Sequence, residues 1–163
     1  LSDETVVIDA LSRSMDLLQS PNIAPTIQFA ISQFCHSAPE YVAILHPNCP
    51  LRKAGHIQEA YNTMQIFDCD SVISVTEDTG NFYQHKAEGM EPLFKKRLLK
   101  DERDLLFRED GLVFFTKAKF ISEKSLFGPK VGHVITEKEC SLQVDDAFDF
   151  DICEARLKRS AQS

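Results

Sequence analysis

The apolar positions of the chain alternate between helical spacing and short unbroken runs, which predicts an α/β fold. Apolar residues three or four apart predict helices over four stretches: 4–13, from about Pro25 to Phe34, 53–67, and from Asp146 to about Arg159. Runs rich in Val, Ile and Phe predict strands at 41–45, 71–76, 111–116 and 131–136. Residues 142–144 are expected to form a short strand or an extended edge. A short helix is expected at 119–126.

The strand at 41–45 reads YVAIL and has no polar alternation, so we expect both its faces to be covered, as in a parallel sheet. With the helix 53–67 and the strand 71–76 it predicts a βαβ unit with a right-handed crossover. The whole pattern indicates one three-layer domain with a mostly parallel sheet. Ligands bind such sheets beyond the carboxyl ends of the strands, so candidate chemistry should follow the strand ends.

Residues 77–108 depart from this alternation because they are mostly polar and charged, with turns at Gly80 and Gly89. We interpret them as an excursion from the sheet, made of a short hairpin and an irregular or helical return.

The segment HPNCPLR, residues 46–52, follows the first strand and is the first candidate site. Pro47 and Pro50 exclude a helix there and stiffen the chain. The loop N–H groups can then face a ligand, and Arg52 at the start of the next helix would strengthen an anion site. A stiff loop with a solvent-facing arginine is the simpler interpretation, and the pattern alone favours it.

Further candidates follow the later strands. Asp146 and Asp149 have the spacing of an N-cap residue and an acid at the third helical position, N3. This spacing favours a capping role for both. Asp145 fits either a surface acid or a Mg²⁺ ligand, since Mg²⁺ takes one or two carboxylates together with substrate phosphates. Arg108 stands close to Gly111, and a glycine lets a ligand approach the backbone.

Composition narrows the classes of function. A net charge of -7 argues against a nucleic-acid partner, and no apolar run approaches the ~18–20 residues that span a membrane. The five cysteines are odd in number and include no C-x-x-C pair, which favours reduced, mostly buried thiols in a cytoplasm over a disulfide frame or a zinc site. No glycine-rich phosphate loop of a common type is present.

The order of the motifs resembles the acylneuraminate cytidylyltransferase family. HPNCPLR is similar to that family's QPTSPLR, CDSVISV to ADSVxSV, and FREDGLVFF to YRxNGAIY. FGPKV is similar to FxGxKV, and SLQVDDAFDFDICE to SVDIDTxxDFxxAE. The similarity runs through nearly the whole chain.

This resemblance implies a nucleotide-diphospho-sugar transferase-like fold and transfer of CMP from CTP to an acidic keto-sugar such as N-acetylneuraminate, with release of pyrophosphate. Mg²⁺ would help to carry the phosphate charge. Arg52 and Arg108 would be catalytic, and Arg108 would meet the sugar carboxylate by bidentate pairing. The resemblance also implies the remaining site residues: His46, Asn48, Cys49, Asp110 and Gly111 at the substrate, and Asp145 at the metal.

The chain departs from the family pattern at the site itself. His46 replaces Gln, Asn48-Cys49 replaces Thr-Ser, and Asp110 replaces Asn and adds negative charge where an acidic sugar would dock. Gln143 replaces the first Asp of the metal pair, and an amide is a poorer Mg²⁺ ligand than a carboxylate. Gln143 and Asp110 favour a second hypothesis, a non-catalytic relative that serves in dimerisation or in binding a ligand or partner. The presence of Arg52, Arg108 and Asp145 together favours the enzyme.

The resemblance also sets the organisation that we expect. Residues 1–163 form one cytidylyltransferase-like domain, and the family's CTP-binding loop would precede Leu1, so this piece alone should be inactive. Residues 77–108 correspond to the family's dimerisation arm, which implies a homodimer. The implied location is the cytoplasm, or the nucleus in an animal cell.

Overall fold

A computed structural model describes residues 23–96 and 98–160, and the helix expected at 4–13 lies outside them. The helices are α1 (Ala24–Phe34), α2 (Ala54–Phe67) and α3 (Ala147–Ser160). The strands are β1 (Tyr41–Ile44), β2 (Ser71–Asp78), β3 (Tyr83–Lys86), β4 (Gly89–Pro92), β5 (Leu106–Lys117) and β6 (Val131–Ile135).

The main sheet has the strand order β1-β5-β2-β6 and confirms the predicted α/β class. β2 pairs with β6 in parallel, whereas β5 pairs antiparallel with both β1 and β2. β1, β2 and β6 therefore run in one direction and β5 runs against them. Because β5 is inverted, its first half lies at the carboxyl ends of the other three strands, where ligands were expected to bind.

β5 contains a β-bulge that interrupts its pairing with β2. Ile73 pairs with Phe114, but Val75 already pairs with Glu109, so residues 110–113 stand opposite Ser74 alone. Gly111 lies inside this bulge at a φ of +72°, a backbone conformation that favours glycine. The bulge places residues 110–113 at the carboxyl edge of the sheet.

The hydrophobic core lies between α2 and the sheet. Ala60 and Met64 of α2 are buried against residues of the strands and of the segments that follow them: Cys49, Cys69, Val72, Leu112, Val113, Phe115, Val134 and Cys140. The Tyr41 and Phe115 rings stack with centroids 5.7 Å apart, and the Tyr61 ring meets both edge-on. All five cysteines are free thiols, and four of them are buried.

Three expectations for secondary structure are wrong. Residues 119–126 form only a 3₁₀ turn at Ala118–Phe120, because the Ser122 hydroxyl then accepts the main-chain N–H groups of Lys124 and Ser125 in place of a helical carbonyl. Residues 142–144 form no strand, because their backbone partner is a loop: the Val144 N–H donates at 2.8 Å to the carbonyl of Asn48, which lies in the turn after β1. β1 lies at an edge of the described sheet, so Ala43 is exposed rather than covered.

The excursion at 77–108 contains the predicted hairpin. β3 and β4 pair only with each other, and all eight of their residues are exposed. The return includes a 3₁₀ turn at Lys100–Glu102. None of the helices within the described ranges has the length and apolar character needed to cross a membrane.

Candidate functional site

The segment 46–52 is tied to the bulge of β5 by the side chain of Arg52. The Arg52 Nη2 donates to the His46 carbonyl at 2.6 Å, and Nε donates to the Leu112 carbonyl. One guanidinium thus closes the loop on itself and fastens it to a residue 60 positions away. A planar fork with several donors suits this task, whereas a lysine ammonium does not fix two carbonyls in one plane. The simpler interpretation of a solvent-facing arginine is wrong.

Asp110 is fully buried in the bulge and is held by three donors. Its Oδ1 accepts from the Ser74 hydroxyl at 2.5 Å and from the Leu112 N–H at 3.0 Å, and its Oδ2 accepts from the Thr136 hydroxyl. Since buried charge is costly unless it is hydrogen-bonded, these donors make the burial possible. The negative charge that was expected to repel an acidic sugar therefore faces hydroxyl groups of the protein.

The segment that precedes α3 lies against both the loop and the bulge. The Gln143 side chain donates to the Asp110 carbonyl at 2.8 Å, and the Asn48 side chain donates to the Asp145 Oδ1 at 2.8 Å. Asp146 and Asp149 have the predicted capping role: the Asp149 N–H donates to the Asp146 carboxylate, and the Asp145 N–H donates to the Asp149 carboxylate. Of these three acids, Asp145 is thus the one whose carboxylate takes no part in capping the helix.

Gly111 is the position where the three segments meet. A Cβ built on it would lie 2.8 Å from the Gln143 Nε2, 3.4 Å from the Cys49 Sγ and 3.6 Å from the His46 ring. The structure therefore brings eight of the residues singled out from the sequence into one contiguous cluster, which we call the strand-end cluster: His46, Asn48, Cys49, Arg52, Asp110, Gly111, Gln143 and Asp145.

Cys49 is the buried centre of the strand-end cluster. Its thiol lies 3.6 Å from the Asn48 Oδ1 and 3.5 Å from the Asp110 carbonyl. Burial raises the pKa of this thiol above its usual value; the Arg52 charge opposes the shift, and the carboxylates of Asp110 and Asp145 add to it. The group is thus a neutral thiol at pH 7, which suits a hydrogen-bond donor better than a nucleophile.

Arg108 lines a neighbouring groove of about 300 Å³ at the end of β2. It is exposed and lies opposite Thr76 in the sheet. The groove is also lined by Glu77, Asp78, Thr79, Lys138, Ser141 and Leu142. Its charge is mixed, with two cationic and two acidic side chains on its walls.

Sequence reasoning missed Ser74, Thr136 and Lys138. Ser74 is a buried polar residue between the apolar Ile73 and Val75, and its hydroxyl donates to Asp110. Thr136 follows β6 and reaches the same carboxylate. Polar positions within buried strands were therefore a usable signal for a buried acid, whereas no pattern linked Lys138 to Arg108.

The residues of the strand-end cluster fit Mg²⁺ in part. Asp145 is exposed and its carboxylate has further lone pairs beyond the one that Asn48 takes. Gln143 commits its amide N–H to the Asp110 carbonyl, so only its neutral oxygen remains as a ligand. One carboxylate with substrate phosphates is an accepted arrangement for this ion.

Comparison with known proteins confirms the resemblance that the motifs indicate. The chain is 29% identical over 127 residues to an N-acylneuraminate cytidylyltransferase from Escherichia coli. The match covers 69% of this chain but only 29% of that protein, so the chain spans under a third of the relative. No family model matches the chain.

A solved structure shows the same fold. The chain superposes on a 4-diphosphocytidyl-2C-methyl-D-erythritol synthase from Anaerococcus prevotii with a TM-score of 0.63, at 14% sequence identity. The match covers 85% of this chain and 68% of that one. It confirms the predicted three-layer α/β fold.

Proposed function

We propose that this chain is part of a cytidylyltransferase that transfers CMP from CTP to an acidic keto-sugar and releases pyrophosphate. The observation that carries the proposal is the strand-end cluster, in which Arg52 fastens the loop 46–52 to the bulge of β5 at the carboxyl edge of the sheet. Open α/β sheets bind their ligands at this edge. The similarity to an N-acylneuraminate cytidylyltransferase supports the same reaction.

The two predicted catalytic arginines would have different roles. Arg52 uses two of its five N–H donors on carbonyls, so it positions the loop and keeps donors for the phosphates of CTP. Arg108 and Lys138 would bind the sugar carboxylate in the groove at the end of β2. The anomeric hydroxyl of the sugar would then attack the α-phosphate, and pyrophosphate would leave.

Asp145 is the residue that we propose as the Mg²⁺ ligand, with the Gln143 oxygen as a weaker neighbour. When bound there, the ion would lower the charge of the phosphates. The Asn48 amide holds the Asp145 carboxylate in one orientation, which is the task of an outer hydrogen-bond partner at a metal site.

The exposed apolar side chains of the excursion support a homodimer. Tyr83, Met90, Leu93 and Phe94 are each exposed by a third or more in residues 77–108, although they are large and apolar. A second copy of the chain would cover such a surface. Small-angle scattering should give the mass of a dimer, and Met90→Lys should shift it toward the monomer; a monomeric mass for the unaltered protein contradicts this arrangement.

One observation favours the alternative, a non-catalytic relative that binds a ligand or partner. Gln143 stands where the family has a carboxylate, and its amide N–H donates at 2.8 Å to the Asp110 carbonyl, which the Cys49 thiol also approaches at 3.5 Å. A carboxylate has no N–H to donate to that carbonyl, so the surrounding structure accommodates the amide at position 143.

A pyrophosphate-release assay separates the two functions. The protein that contains this chain in full is supplied with CTP, Mg²⁺ and a panel of acidic keto-sugars, and CTP binding is measured by calorimetry. Release with at least one sugar supports the transferase. CTP binding without release supports the non-catalytic relative, and the absence of both contradicts a nucleotide site at this edge.

A further inference from the structure

Three metal-ligating side chains meet outside the strand-end cluster. The imidazole of His56, the carboxylate of Glu137 and the thiol of Cys140 place one ligand atom each within 4.8 Å of one another. His56 and Cys140 are each 6% exposed, and Glu137 opens to solvent. Nitrogen, oxygen and sulfur ligands together are typical of Zn²⁺.

We infer that His56, Glu137 and Cys140 form a binding site for a Zn²⁺-class divalent ion. The inference is independent of the proposed transferase activity, and it differs from what the cysteine spacing indicated. That spacing shows no C-x-x-C pair. Here one ligand, His56, comes from the start of a helix, and the other two come from a turn. His56 and Glu137 are 81 residues apart in the sequence.

The backbone at both sides of the site is already ordered. His56 lies in the first turn of α2, and its Nδ1 accepts the Lys53 N–H at 3.3 Å. Glu137 and Cys140 belong to one turn, in which the Cys140 N–H donates to the Glu137 carbonyl at 2.8 Å. Ligand atoms around tetrahedral zinc are about 3.3–3.6 Å apart. The His56 Nε2 and the Glu137 Oε2 are already close to this separation, 3.2 Å apart. The Cys140 thiol lies within 4.8 Å of both residues' ligand atoms and would move toward them to enclose an ion.

In the metal-free protein the ammonium of Lys53 occupies the position next to Glu137 where a metal ion would bind. It lies 2.9 Å from the Glu137 Oε1, and this carboxylate lies within 4.8 Å of the Cys140 thiol. The Lys53 side chain is 59% exposed, so it can leave toward solvent when an ion enters. A positive group that already pairs with this carboxylate indicates that the site favours a cation.

Binding has a defined proton balance. Because the His56 Nδ1 accepts a main-chain N–H, the neutral imidazole carries its proton on Nε2, where it donates to Glu137. On binding, that proton moves to Nδ1 and the Lys53 N–H loses its acceptor, while the Cys140 thiol releases a proton to solvent. One proton is thus released for each ion, and affinity should rise with pH.

The ion would join the start of α2 to the turn after β6. His56 follows the loop 46–52, and the same turn carries Lys138 of the Arg108 groove. Three protein ligands leave a fourth position for water. The site would therefore tighten the two walls of the strand-end region and stabilise the folded protein by mass action.

Titration of the reduced protein with Co²⁺ and Zn²⁺ tests the inference. Co²⁺ should give a thiolate charge-transfer band at one ion per chain, Zn²⁺ should displace it, and Zn²⁺ should raise the melting temperature. Cys140→Ser should abolish the band, and Glu137→Gln, which changes an exposed side chain, should weaken binding at least roughly tenfold, since loss of even an outer partner costs that much. Lys53→Met should strengthen binding because it removes the competing ammonium.

Matched controls identify the ligands. Cys35→Ser and Cys153→Ser remove other free thiols and should leave the band unchanged. Circular dichroism establishes that each variant is folded. The inference is overturned if no band forms, if the band survives Cys140→Ser, or if it disappears in either control. It is also overturned if Lys53→Met and Glu137→Gln leave the affinity for Zn²⁺ unchanged.

Discussion

The side-chain amide of Asn48 donates to the Asp145 Oδ1 at 2.8 Å across 97 residues of sequence. The bond joins the loop after β1 to the segment before α3 and holds an exposed carboxylate at the edge of the sheet where nucleotide is proposed to bind. In the family that the sequence resembles, the residue at position 48 is Thr. A Thr hydroxyl is shorter than this amide, so Asn48→Thr would shorten the side chain that reaches Asp145.

Asp145→Asn should lower the rate of pyrophosphate release by about tenfold or more at fixed Mg²⁺, because it removes the charged ligand that we propose for the ion. Raising the Mg²⁺ concentration should recover part of the loss. Asp151→Asn changes an exposed acid of α3 and serves as the control. Equal rates for the Asp145 variant and the control would exclude Asp145 as the metal ligand.

Gly111→Ala should destabilise the protein by about 2 kcal/mol. Its φ of +72° costs about 1–2 kcal/mol for a residue with a Cβ, and the new methyl would lie 2.8 Å from the Gln143 Nε2. Urea unfolding measures the change. Gly55→Ala is the matched control, since nothing lies within 4 Å of its Cβ in α2, and it should stabilise by about 0.5–1 kcal/mol. A neutral Gly111→Ala would show that the bulge can adopt another conformation.

Part of this arrangement could be predicted from the sequence, because local rules determine it. The prolines of HPNCPLR, the cap at Asp146 and the buried run of β2 each depend on nearby residues. The bulge could not be predicted, since it depends on the pairing of Ile73 with Phe114 and of Val75 with Glu109. The same applies to the inverted β5, whose direction is a matter of tertiary pairing rather than of hydrophobic pattern.

The sequence identified which residues form the site, but it did not predict the contacts among them. Arg52 and Asp145 were singled out by their place at strand ends, and both lie in the strand-end cluster. Asp110 was expected to face substrate; its carboxylate is instead buried among Ser74, Leu112 and Thr136, and its role in substrate binding stays a prediction. Burial of a charged residue depends on partners that are distant in sequence.

The three donors around Asp110 allow two substitutions to be distinguished. Asp110→Ala should destabilise by about 3 kcal/mol, because it leaves buried hydroxyl and N–H groups unpaired. Asp110→Asn should cost only about 1 kcal/mol. The Asn oxygen can still accept from Ser74 and Leu112, while the Thr136 hydroxyl can accept from the new amide and donate to the Val75 carbonyl, 3.3 Å away. Urea unfolding of both variants measures the difference. Equal losses would mean that the negative charge itself is required.

Glu137 should make the stability of the metal-free protein depend on acid pH. Hydrogen bonds from Lys53, from the residue's own backbone and from His56 lower its pKa from 4.5 to about 2. A group whose folded pKa is depressed stabilises the protein above its unfolded pKa. That contribution is therefore complete above pH 4.5 and is lost as the pH falls toward 2.

Glu137→Gln should flatten this part of the stability profile, as measured by urea unfolding at several pH values in the presence of a chelator. Lys53→Met should flatten it in part, because Lys53 is the largest cause of the shift. Glu139→Gln removes a neighbouring exposed carboxyl and is the control. It should retain more of the dependence of the unfolding free energy on pH than Glu137→Gln does. Added salt should reduce the difference between the variants, since the pair is largely exposed and its attraction is screened. An unchanged slope in Glu137→Gln would show that the ion pair with Lys53 is not maintained in solution.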